Sequence, residues 1–99
     1  MKLRKILKRH LSHLRDDYLD WTRIPHKYGF VAIDAVDTGI WKAGVPIAYQ
    51  REPTFDGQRW TRAAPGNLDM SKDIPAYVTN AAIIGVLPKP EASLRRRPV

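Results

Sequence analysis

MKLRKILKRHLSHLRDDYLDWT, residues 1–22, is the longest strongly periodic stretch of the chain, and its reading decides the fold. Leu3, Leu7, Leu11, Leu14, Tyr18 and Trp21 recur at spacings of four, four, three, four and three, which places them on one face of an α-helix. Ile6 and Leu19 widen this stripe, while Lys5, Arg9, Ser12, Asp16 and Asp20 take the opposite side. Pro25 disfavours helical geometry at Ile24 and ends the element. The periodicity predicts a basic amphipathic helix within residues 1–24.

The charges on that helix run against its dipole. Cations crowd the N-terminal end, which prefers anions, and Asp16, Asp17 and Asp20 sit at the end that prefers cations, each mismatch costing about 0.3–1 kcal/mol at low salt. The i,i+4 neighbours Arg4 and Lys8, Lys5 and Arg9, and Asp16 and Asp20 are like-charged as well. Packing of the Leu stripe, with an anionic partner for the basic half, would have to offset these terms.

From Tyr28 onward the pattern changes to short β-like pieces punctuated by Gly and Pro. Residues 28–36 are mostly apolar and partly β-branched, and Asp37-Thr38-Gly39 supplies a turn. Residues 45–49 read as a second strand, with Pro46 restricting it to an edge or a strand start. A turn at residues 55–58 precedes a third strand candidate at residues 58–62, and residues 63–74 read as a loop with one short helical turn at 68–72. Residues 76–87, flanked by Pro75 and Pro88, read as a last strand. Beyond them, residues 88–99 read as an extended basic tail with no means of burying itself, one that would become ordered against another chain or nucleic acid. The expected fold class is α+β: an N-terminal amphipathic helix, a small mostly antiparallel sheet over residues 25–87 and an extended C-terminal tail, all in one small domain.

Ninety-nine residues allow a single domain with one modest core. The net charge of +7 is unevenly placed. Residues 1–15 hold six Lys and Arg and no acid, residues 92–99 hold three Arg and no acid, and the middle carries eight bases against ten acids. Such a chain grips an anionic partner with its ends rather than coating nucleic acid uniformly. No apolar run approaches the roughly 20 residues that span a bilayer, which fits a soluble protein without a transmembrane segment. The absence of Cys excludes disulfides and thiolate metal sites, so a reducing compartment is allowed. The basic, Leu-rich start also has the composition of a mitochondrial transit peptide, which leaves the mitochondrial matrix open as a location. A helix lying on an anionic membrane is opposed by Asp16, Asp17 and Asp20.

Motifs for chemistry are sparse. Asp37-Thr38-Gly39, preceded by Ala35-Val36 and followed by Ile83-Ile84-Gly85, resembles the active-site tripeptide of retroviral-type aspartic proteases, which would make Asp37 half of a dimeric carboxylate pair. The resemblance covers six residues, Ile40 stands where that family has Ser or Ala, and a strand-ending Asp-x-Gly turn is the reading adopted. His10 and His13, with Asp17 four residues further on, have ligand spacing without a complete shell, and Asp34 with Asp37 is no better as a metal pair. No Gly-rich phosphate cradle is present. Trp41-Lys42, Tyr49-Gln50-Arg51 and Arg59-Trp60-Thr61-Arg62 interleave rings with cations, as base-stacking surfaces do, although rings in so small a domain are more simply core.

The sequence therefore predicts a non-enzymatic structural or accessory subunit of a large assembly such as a virion, ribonucleoprotein particle or organellar complex, with no cofactor and no metal. Its partners would be other protein subunits, docked on Leu7, Leu11, Leu14, Tyr18 and Trp21. Nucleic acid or an acidic surface would meet Lys2, Arg4, Lys5, Lys8, Arg9, Arg95, Arg96 and Arg97. A free-standing nucleic-acid-binding protein is the alternative, and a dimeric protease using Asp37 the third.

Overall fold

Phe30-Val31-Ala32-Ile33 has no polar side chain. In the computed structural model, which describes residues 17–62 and 74–98, it forms strand β1 (Phe30–Ile33) in the interior of a sheet. β1 pairs antiparallel with β2 (Pro46–Tyr49), Phe30 opposite Tyr49 and Ile33 opposite Pro46. The edges are two-residue strands. β5 (Ala76–Tyr77) pairs with β2 and β6 (Arg95–Arg96) with β1, giving the order β5-β2-β1-β6 with every pairing antiparallel. Pro46 is tolerated because it opens its strand, and its carbonyl still accepts from the Val78 N–H at 3.0 Å. A separate hairpin pairs β3 (Thr54–Phe55) with β4 (Trp60–Thr61). Gly57, at φ +100°, makes its turn, and Asp56 Oδ1 accepts from the N–H groups of Gln58 and Arg59, both at 2.9 Å.

Successive strand side chains point to opposite faces, and here both faces are covered. Val31, Ile33 and Ala48 pack with Tyr18, Leu19, Trp21, Ile24, Tyr28, Val78 and Ala82. On the other face Ala32, Ile47 and Tyr49 pack with Phe30, Trp41, Trp60 and Leu94. A strand buried on both sides needs an unbroken apolar run rather than alternation, and Phe30–Ile33 supplies one.

The α+β expectation is corrected by this architecture. No α-helix occurs among the described residues; only three-residue 3-10 turns do, at Trp21–Arg23, Asn80–Ala82 and Pro90–Ala92, and the fold is mostly strand. Residues 1–16, with Leu7, Leu11 and Leu14, lie outside the described residues, but the predicted helix does not run through residues 17–22. Asp17 has φ +85°, which no right-handed helix accommodates. Beyond it the backbone takes its hydrogen bonds from a distant segment. Asp20 N–H donates to the Ala82 carbonyl at 2.7 Å, Ile84 N–H donates to the Tyr18 carbonyl at 3.0 Å, and Leu19 bridges Ile83. Asp20 then acts as an N-cap, accepting from Thr22 N–H at 3.1 Å, the helix end where an aspartate is favoured rather than the end where the periodicity had put it.

The tail expectation is corrected too. Residues 88–98 fold back on the body: Pro90–Ala92 makes a 3-10 turn, Ser93 is wholly buried, and Arg95–Arg96 adds a strand to β1. What captures the tail is the open edge of β1 together with a buried polar hub. Ser93 Oγ accepts from Ile33 N–H at 2.8 Å and donates to the Pro90 carbonyl at 2.6 Å. The last apolar run is a strand only at Ala76–Tyr77, because Asn80–Ala82 turns the chain toward Leu19. The helical turn expected at residues 68–72 lies outside the described residues.

Candidate functional site

Asp34 follows directly on β1 and is the residue around which the second sheet face is organised. It is only 1 % exposed. Trp60 N–H donates to its Oδ1 at 2.6 Å, Ala35 N–H donates to the Gln58 carbonyl at 2.7 Å, and Gly44 N–H donates to the Asp34 carbonyl at 3.0 Å. These bonds pin the β3–β4 hairpin and the loop after β1 to the end of the sheet. Between them lies a cleft of about 300 Å³, lined among others by Asp34, Trp41, Tyr49, Arg59, Trp60 and Arg62.

The rings of this cleft are held in place from behind. Trp41 meets Tyr77 edge to face with centroids 4.9 Å apart, and Trp60 lies against Phe55 at the same separation, tilted by 35°. Trp60 Nε1–H donates to the Pro90 carbonyl at 3.1 Å. Burial pushes the Asp34 carboxyl up from its ordinary range, opposed by the Trp60 N–H and by Arg59. Burial, with the nearby Asp34 charge, likewise raises the Tyr49 hydroxyl. A second, more apolar hollow of about 230 Å³ lies at Ile24, Tyr28, Ala48 and Val78.

The C-terminal arginines have separate assignments. Arg95 Nε pairs with Asp17 and its guanidinium lies over the Tyr18 ring. Arg96 is exposed, over Phe30. Arg97 lies over Trp21 and donates to four carbonyls, those of Tyr28 at 3.0 Å, Trp21 at 3.1 Å, and Ile24 and Pro25 both at 2.8 Å. Of the eight cations expected at an anionic partner, Arg95 and Arg97 are thus engaged within the chain. Lys2, Arg4, Lys5, Lys8 and Arg9 lie outside the described residues. Of the predicted docking stripe, Tyr18 and Trp21 are buried in the chain's own core.

Asp37 holds its loop, its Oδ1 accepting from Ala43 N–H at 2.7 Å, while Thr38 Oγ1 accepts from Trp41 N–H at 2.8 Å. Asp34 and Asp37 therefore serve different backbone donors. His10 and His13 lie outside the described residues, among which no group of three or more His, Asp or Glu is placed to hold a metal. No helix of the described residues is long and apolar enough to cross a membrane. No family model, curated protein or solved structure matches the chain.

The ring-and-cation segments were legible in the sequence, and the structure brings Trp41, Tyr49, Arg59, Trp60 and Arg62 to one cleft. Sequence reasoning missed Asp34 at its base, Ser93 as a buried hub and Arg97 as a staple. An acid directly after an apolar strand was the only available signal for Asp34, while Ser93 and Arg97 carry none, because the Ile33 N–H and the Tyr28 carbonyl that they meet lie 60 or more residues away.

Proposed function

We propose that this chain is a non-enzymatic accessory subunit of a larger macromolecular assembly, built to dock on protein while its acid-free N-terminal segment meets nucleic acid or an acidic surface. The observation that carries this reading is the run Ile83-Ile84-Gly85-Val86-Leu87. Its start is pinned by the Leu19–Ile83 bridge, by the Ile84 hydrogen bond to Tyr18, and by Gly85 packed so closely that a Cβ would stand 2.8 Å from the Asp17 carbonyl oxygen. Yet Ile84 and Leu87 are exposed and Val86 is 94 % exposed. Single exposed apolar residues are ordinary, whereas three in one anchored run suit a partner, each contributing about 1.5–3 kcal/mol if fully covered.

The test is size-exclusion chromatography with light scattering on tagged protein from its native source, with and without nuclease, at low and high salt. Co-elution with a large particle that survives both treatments, and its loss in a Val86→Asp, Leu87→Asp variant that remains folded, is the expected result. A free monomer in every condition overturns the reading. The cleft favours a second reading, a free-standing nucleic-acid-binding protein, for which bound nucleic acid would be lost steeply with salt.

A further inference from the structure

We propose that the cleft between the Trp41 loop and the β3–β4 hairpin takes one unstacked guanine base of a single nucleic-acid strand, with the base edge donating to Asp34. The inference rests on the nucleic-acid contact in the reading above and adds a base-specific site to it.

Asp34 is the first ground. It is 1 % exposed, one carboxylate oxygen is occupied by Trp60 N–H, and the other accepts no hydrogen bond from a described residue. A buried carboxylate oxygen without a donor is costly, and in a cleft wall the missing donor is one that a ligand can supply. The second ground is the aromatic lining. Trp41 and Trp60 are half-buried and backed by Tyr77 and Phe55, so the rings are already oriented for a planar group and lose little freedom on binding one. The third is charge. Arg59 and Arg62 line the same cleft, which disfavours a cationic side chain as the group that meets Asp34 and suits a neutral base attached to phosphate. At about 300 Å³ the cleft is at the small end of ligand sites, admitting a single ring-bearing unit and no duplex.

The choice among bases follows from donors and acceptors. An ionised carboxylate only accepts. Guanine presents two neighbouring N–H donors, N1–H and the N2 amine, on one edge. Adenine sets an acceptor beside each donor, uracil flanks its single N–H with two acceptors, and cytosine offers one N4 donor on the side of its C5–H. A carboxylate therefore matches guanine with two donors and cytosine with one, and leaves a repulsive contact with adenine and uracil.

The experiment titrates the full chain with short fluorescent oligouridylates carrying one central guanosine, inosine or uridine, at low salt, following anisotropy and tryptophan emission. Guanosine is expected to bind roughly tenfold tighter than uridine. Inosine, which lacks the N2 amine, should fall between them, and tryptophan emission should be quenched on binding. Asp34→Asn should bring guanosine to the uridine level; the inosine comparison tests the same contact without depending on how that variant folds. Equal affinity for all three probes overturns the base site while leaving nucleic-acid contact standing. No binding to any probe overturns both.

Discussion

The Tyr18 hydroxyl donates to the Ser93 carbonyl at 2.7 Å across 75 residues of sequence, and both residues are wholly buried. This bond joins the segment before the sheet to the segment after it. Through Ser93 Oγ it continues to Ile33 N–H, so the N-terminal side, the central strand and the tail share one polar hub inside an apolar core. Tyr18→Phe leaves a buried carbonyl without its donor and should cost about 1–3 kcal/mol in urea unfolding. Ser93→Ala should cost a comparable amount, because Ile33 N–H loses its acceptor while the Pro90 carbonyl keeps the Trp60 Nε1–H and Ser93 N–H as donors. Equal stability of Tyr18→Phe and the parent would show that the hub is not an energetic unit.

Arg97 is a staple rather than a free cation. Its fork reaches four carbonyls of the segment 21–28, and burial lowers its pKa, as expected for a guanidinium withdrawn from water. Arg97→Ala should lose roughly 2–3 kcal/mol, and Arg97→Lys should recover little of it, because an ammonium cannot span the carbonyls that the planar fork bridges. Thermal melts of the two variants beside Arg96→Ala, whose side chain is exposed, decide the matter. Arg96→Ala is expected to stay within about 0.5 kcal/mol of the parent.

Gly85 is a close-approach glycine. A Cβ there would meet the Asp17 carbonyl oxygen at 2.8 Å and the Tyr18 Cα at 3.3 Å, both backbone atoms that cannot rotate aside. Gly85→Ala should therefore destabilise by about 1–3 kcal/mol. It should also loosen the anchored run, read as faster amide exchange at Ile84. Unaltered exchange there would mean that the two segments are not held by this contact.

Asp34 gives a pH dependence of definite sign. Burial raises its folded-state pKa above the unfolded value, so the folded chain binds the extra proton. Its contribution then favours folding most at low pH and declines as pH rises from about 4 through the raised folded-state value. Asn at this position can still accept from Trp60 N–H but does not titrate. Asp34→Asn should thus gain on the parent as pH rises through that window, measured by urea midpoints at a series of pH values; a constant difference would show that the carboxyl titrates normally.

How much of this was readable beforehand depended on where each residue finds its partner. The runs around Phe30–Ile33 and Pro46–Tyr49 declare themselves by apolar, β-branched composition between turn residues, and the Asp56-Gly57 turn and the strand after it are legible because turn chemistry acts within a few residues, whereas the pairing with Thr54–Phe55 falls outside that reading. Trp41, Trp60, Arg59 and Arg62 announce a ring-and-cation surface, but nothing in the sequence places Asp34 beneath them. Tyr18, Leu19 and Trp21 show a helical period and yet do not form an α-helix, since Ala82 and Ile84 offer backbone partners that the period cannot reveal.

The sequence by itself determined the two central strands around Phe30–Ile33 and Pro46–Tyr49, the Asp56-Gly57 turn, the lack of thiol chemistry and the concentration of positive charge at the two ends, all set by composition and contacts between near neighbours. Only the tertiary structure decided that Tyr18 and Trp21 are core, that the arginine tail closes the sheet and that Asp34 sits at the base of an aromatic cleft. Those outcomes rest on pairings across tens of residues, where the free energy of a buried hydrogen bond or a covered sheet edge outweighs a local periodicity worth a few tenths of a kcal/mol per residue.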